Sequence, residues 1–133
     1  MTERDKPKRP FTPLELKIMQ TLWAAGPLNV QAVQERLNDD LAYTTVQTML
    51  NVLHRKGHVA RALVGRAYEY RPLQNRETAR KSAVRDLLNR MFDGSSEALV
   101  MNMLKAKQID AAKLAELARK VDSAEGDQDE QSR

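Results

Sequence analysis

Three short segments with apolar residues three and four apart, followed by two alternating runs around a glycine, predict a mainly α chain. Its N-terminal half reads as a winged helix-turn-helix, three helices plus a β-hairpin wing. Three further helical segments carry more apolar surface than so short a chain can cover by itself, and they predict a helical dimerisation segment.

Residues 1–10 form a basic stretch in which Pro7 and Pro10 bracket a charged run with nothing to bury, a flexible N-terminus. The first helix starts at Thr12-Pro13-Leu14-Glu15: Thr12 caps, proline fits the first helical position, and Glu15 completes a capping box. Leu14, Ile18 and Leu22, widened by Met19 and Trp23, give it an apolar stripe, with Trp23 as a core anchor, and Gly26-Pro27 stops it. Asn29 caps a shorter second helix with Val30, Val33 and Leu37 inward, closed by the polar turn Asn38-Asp39-Asp40.

The third helix is the centre of the reading. Val46, Leu50, Leu53 and Gly57 share one face, while Tyr43, Thr44, Gln47, Thr48, Asn51 and Arg55 occupy the other; Thr45 joins them as a candidate base contact, with capping or packing the helix as its alternative. A helix displayed only to water favours Glu and Lys; short uncharged hydrogen-bonders with cations toward the helix end suit base edges and phosphates instead. An ordinary surface helix is the bland alternative, and the neighbouring elements weigh against it. After Gly57, residues 58–63 and 67–71 read as two strands around Val64-Gly65-Arg66, with Arg66 at the tip of the wing and Arg61 and Arg71 along it. Pro72 closes a DNA-binding domain spanning 11–73, in which Lys56 adds a further cation beside the helix.

Residues 74–121 differ in texture. Asn75 caps a helix with Val84, Leu87, Leu88 and Met91 on one face; Ser95 or Ser96 caps the next, with Leu99, Val100, Met103 and Leu104. A last helix opens at Ile109-Asp110 and carries Leu114, Leu117, Ala118 and Val121. Residues 122–133 are acidic and apolar-poor, an expected disordered tail.

Charge follows the same division. Residues 1–73 hold 11 Lys/Arg against 7 Asp/Glu and 74–121 hold 10 against 6, but 122–133 hold 1 against 5, so a net +4 conceals +8 before the tail. That balance favours a polyanionic partner. The chain has no cysteine, which excludes disulfides and thiolate metal sites. Neither a membrane-length apolar run nor a signal-peptide core is present, which leads to the expectation of a cytoplasmic protein. His54 and His58 stand four apart, but Gly57 interrupts them and a metal site needs further ligands. No nucleophile-and-base arrangement or phosphate-binding glycine loop appears, so neither an enzyme nor a cofactor is expected.

The pattern Thr12 to Glu15, Met19, Leu22-Trp23, Thr45-Val46-x-Thr48-x-Leu50, Leu53, Lys56-Gly57 and Tyr68-x-Tyr70 resembles the penicillinase-repressor (BlaI/MecI/CopY-like) family over about residues 11–121. The resemblance implies a homodimeric transcriptional repressor on an inverted-repeat operator. It also implies inactivation by proteolysis in the dimerisation segment, triggered through a membrane sensor. Asn102-Met103 aligns with the family's Asn–aromatic cleavage position, Met replacing the aromatic residue. The copper-responsive branch carries a cysteine pair that this chain lacks. Val52 stands where Arg is frequent and Thr44 where Lys is frequent, so one backbone contact is absent and the operator sequence is free to differ. Release by a small ligand and a winged helix used for protein contact are the alternatives; the lack of acidic residues from Tyr43 to Gly57 favours DNA over the latter.

Overall fold

The computed structural model describes residues 11–131, with side chains to residue 125; the N-terminal stretch expected to be flexible lies outside the described residues. The elements run α1 (Pro13–Ala25), β1 (Leu28–Asn29), α2 (Val30–Leu37), α3 (Tyr43–Arg55), β2 (Val59–Val64), β3 (Ala67–Pro72), α4 (Arg76–Met91), α5 (Ser96–Lys105) and α6 (Ala111–Gln131). The chain divides into two units between Ala83 and Val84, inside α4 rather than at residue 74.

Local chemistry sets the helix ends of the first unit. Thr12 Oγ1 accepts from the Glu15 amide at 3.2 Å while Glu15 Oε1 accepts from the Thr12 amide at 2.9 Å, the reciprocal capping box. Gly26, at φ 79°, ends α1 in a backbone conformation that a side chain disfavours. Asn29 Oδ1 accepts from the Ala32 amide at 2.8 Å and starts α2, which Asn38 closes in the left-handed region. Leu28 and Asn29 also pair with Tyr70 and Glu69, so the sheet is three-stranded and antiparallel in the order β1-β3-β2. The sequence reading has only the hairpin, because two residues are too few to show an alternation.

Ile18, Met19 and Leu22 of α1 meet Val30 and Val33 of α2, Val46, Leu50 and Leu53 of α3, and Val59 and Tyr70 of the sheet. Burying each of the larger aliphatics contributes roughly 1.5–3 kcal/mol, and this is what holds three helices against the hairpin. Trp23, expected to anchor the core, packs on its margin: its Nε1 donates to the Gln74 carbonyl at 2.9 Å and its ring meets Phe11 edge-on.

Among the described residues, one carboxylate sits inside. Glu15 is 1% exposed, and Lys56 Nζ reaches its two carboxylate oxygens at 3.1 and 2.9 Å. Burial by itself raises the Glu15 pKa, but the hydrogen bonds from Lys56 and Thr12 outweigh it and hold the carboxyl below its ordinary value.

The last three helices, α4 to α6, are built differently. Asn75, Ser95 and Asp110 cap the three helices, each accepting from the backbone amide three residues on. Neither α4 nor α5 has a buried residue. Val84, Leu87, Met91, Leu117 and Val121 are exposed, Met91 to 72% and Val121 to 55%. Leu88, Leu99, Val100, Met103, Leu104 and Leu114 are half-buried. The stretch from Asp122, expected as a disordered tail, instead continues α6 to Gln131. Once a helix is nucleated each added residue gains one bond, and no proline interrupts these positions. Among the described residues no helix is long and apolar enough to cross a membrane.

Removing the Lys56 amine leaves a buried acceptor without its cation. Lys56→Ala is therefore expected to cost about 1–3 kcal/mol in urea denaturation near neutral pH. The depressed Glu15 pKa means that its contribution is present above the ordinary carboxylate range and is lost as pH falls through the folded-state value. The stability gap between the native chain and Glu15→Gln should accordingly shrink toward acid pH, and a gap that widens on acidification would contradict this assignment.

Candidate nucleic-acid interface

The placement of α3 follows from its two faces. Val46, Leu50 and Leu53 are fully buried, which turns Tyr43, Thr44, Thr45, Gln47, Thr48 and Arg55 outward as exposed residues. The approach from α2 is fixed by Gln34, whose Nε2 donates to the Leu41 carbonyl at 2.9 Å across the turn. Ala42 caps α3 through its backbone alone, and the first turn holds no acid. The positive end of the helix dipole therefore opens beside the threonines, with Arg55 placed favourably at the negative end.

The wing meets the same helix at Asn51. Val64 pairs with Ala67, which leaves a two-residue turn of Gly65 and Arg66 with Gly65 at φ 65°; Val64, read from sequence as part of the turn, belongs to β2. Arg66 stands exposed at the tip. Arg61 lies opposite Tyr70 and Arg71 opposite Ala60, so alternation puts the two arginines on opposite faces of the hairpin. The Arg61 guanidinium rests 4.4 Å from the centre of the Tyr68 ring, a cation–π contact. Its Nη1 donates to Asn51 Oδ1 at 3.2 Å, and the Tyr70 hydroxyl donates to that same oxygen at 3.0 Å.

The structure thus brings together one set of the expected residues and gives two others partners within the chain. Tyr43, Thr44, Thr45, Gln47, Thr48, Arg55, Arg61 and Arg66 all lie exposed on α3 or on the hairpin that follows it. Lys56, grouped with the phosphate-facing cations, turns to Glu15, with 31% of its side chain exposed. Glu15 was legible in principle: it falls on the stripe of Ile18, Met19 and Leu22, and an acid on an apolar stripe implies a buried partner. Asn51, grouped with the base readers, is engaged by the wing, a contact that no sequence spacing reveals.

His58 is buried against Phe11, with ring centres 4.5 Å apart, while His54 lies half-buried in the last turn of α3. Among the described residues no group of three or more His, Cys, Asp or Glu side chains is arranged to hold a metal ion. Asn102 is exposed in α5, beside half-buried Met103.

Residues 11–123 match the Penicillinase repressor family. The chain is 35% identical over 103 residues to the transcriptional regulator BlaI of Mycobacterium tuberculosis, covering 74% of this chain and 75% of that protein. It is 28% identical over 105 residues to the penicillinase repressor of Bacillus licheniformis, covering 77% and 82%. Among solved structures, the DNA-binding domain of the repressor BlaI is similar with a TM-score of 0.48 and 27% identity, over 53% of this chain and 88% of that one. With a family match over nearly all of the described residues, the chain belongs to the penicillinase repressor family, as a DNA-binding transcriptional repressor.

Proposed function

We propose that two copies of the chain occupy an inverted-repeat operator, one α3 in each of two successive major grooves, and repress transcription until α5 is cut. The observation that carries this reading is the exposed face of α3, uncharged along its first three turns, beside a wing bearing Arg61 and Arg66. Thr44, Thr45, Gln47 and Thr48 are the base-reading set, Tyr43 borders it, and Arg55, Arg61 and Arg66 meet phosphates. Two-fold symmetry requires half-sites about 10 bp or a multiple apart.

Pairing through the second unit is supported by its exposed apolar side chains. Val84, Leu87, Met91, Leu117 and Val121 exceed what single helices in water normally display, and an identical copy covers them economically. Inactivation is supported by α5 itself. It has ten residues, below the length at which an isolated helix holds in water, so it opens locally at low cost. A cut between Asn102 and Met103 separates Met103, Leu104, Leu114, Leu117 and Val121 from the DNA-binding unit and leaves each copy with one half-site. A membrane sensor protease is the partner that this mechanism calls for, and the repressor itself works in the cytoplasm.

Gln47→Ala should change base preference by about 1–3 kcal/mol at one position of each half-site in binding-site selection. Arg66→Ala should weaken all duplexes alike and lower the salt slope of affinity by about 1. Identical selection profiles with equal losses would reject this division of labour.

Leu87→Asp combined with Met91→Asp should convert a dimer to a monomer in sedimentation and weaken operator binding without lowering the melting temperature of the winged helix. A chain ending at residue 102 should behave in the same way. Normal dimerisation by the truncated chain would reject the cleavage mechanism, as would intact protein in the mass spectrum of derepressed cells.

A further inference from the structure

We infer that Asn51 is a positioning residue that couples the wing to the recognition helix, and that it does not read a base; this rests on the DNA reading proposed above. An asparagine specifies adenine by accepting from N6 through its amide oxygen while donating to N7. An amide oxygen has two lone pairs, and at Asn51 both are occupied, by Arg61 Nη1 at 3.2 Å and the Tyr70 hydroxyl at 3.0 Å. The adenine pairing is therefore blocked unless the wing lets go.

The donors come from two strands of the hairpin. Arg61 is on β2 and Tyr70 on β3, directly paired across the ladder, so one oxygen on α3 fastens both strands at once. Tyr70 is 2% exposed, and its phenol reaches out of the core to make the contact. Arg61 is held on its other side by the Tyr68 ring. A guanidinium carries five N–H donors, so Arg61 keeps others for a phosphate while its direction is already set. Ordering that side chain before DNA arrives removes part of the cost of binding. The Arg66 tip is carried by the same two strands, so where it reaches depends on the same oxygen.

The inference is tested by a double-mutant cycle on operator affinity, pairing Asn51→Leu with Arg66→Ala. In the native background Arg66→Ala weakens binding; in the Asn51→Leu background its effect should shrink by roughly twofold or more, the lower end of coupling between interacting residues. Asn51→Asp keeps an oxygen for both donors, so it should restore the native Arg66 effect, although its charge lowers affinity for every duplex. Base preference should be unchanged in Asn51→Leu. In the free protein, amide exchange at residues 63–67 should quicken in Asn51→Leu and not in Asn51→Asp. Tyr70→Phe removes one donor while leaving Asn51 in place, and carries the same cycle if Asn51→Leu does not fold. Additive losses, or a shifted base preference in any of these variants, would overturn the inference while leaving the DNA reading intact. Failure of the native chain to bind any operator specifically would instead overturn that reading.

Discussion

The buried carboxylate of Glu15 ties together parts of the first unit that the apolar core leaves free to shift. It closes the start of α1 through the capping box and receives Lys56, the residue immediately after α3. The apolar contacts of Leu50 and Leu53 fix how near α3 lies to α1, but a greasy interface tolerates small slides and rotations along the helix axis. A charge-assisted hydrogen bond between a buried carboxylate and one lysine does not. Such a pair adds little to net stability compared with a well-packed apolar substitute, because removing both charges from water costs about as much as their attraction returns. What the pair adds is a directional tie between the residue that follows α3 and the first turn of α1.

The first unit was legible in sequence wherever the signal is local. Thr12 and Asn29 cap as their spacing indicates, Val46, Leu50 and Leu53 go inward, and Gly65 makes the turn of the hairpin. These features depend on the 3.6-residue period, on capping chemistry and on one glycine. What was hidden depends on residues distant in the chain. Lys56 meets Glu15 across 41 positions, Tyr70 meets Asn51 across 19, and Trp23 meets Gln74 across 51. Each of these side chains has an obvious surface or core role when read alone, and the fold gives it another. Composition likewise misled at the C-terminus, where an acidic, apolar-poor run still extends a helix begun by Ala111, Leu114 and Leu117.

The two units obey different physics. Among its described residues the first has ten apolar side chains sealed from water, joined by the pair of buried Glu15 with Lys56. The second has helix caps and apolar stripes but none of that sealing among its described residues. Caps and intrahelical ion pairs such as Lys113–Glu116 each contribute only fractions of a kcal/mol to about one, too little to order three helices by themselves. On the dimer reading, the order of this segment depends on protein concentration, because assembly and folding are the same event for surface of this kind.

The short strand β1 covers one side of β3 and leaves β2 as the outer edge of the sheet. That edge ends in Leu63 and Val64, exposed to 64% and 54%, so a row of backbone donors and acceptors lies beside apolar side chains. An uncovered edge of this composition is a template for another extended chain. Its shortness and its flanking charges, Arg61 before and Arg66 after, work against such pairing. The charge of the two arginines thus also disfavours edge pairing, a consequence separate from any role on DNA.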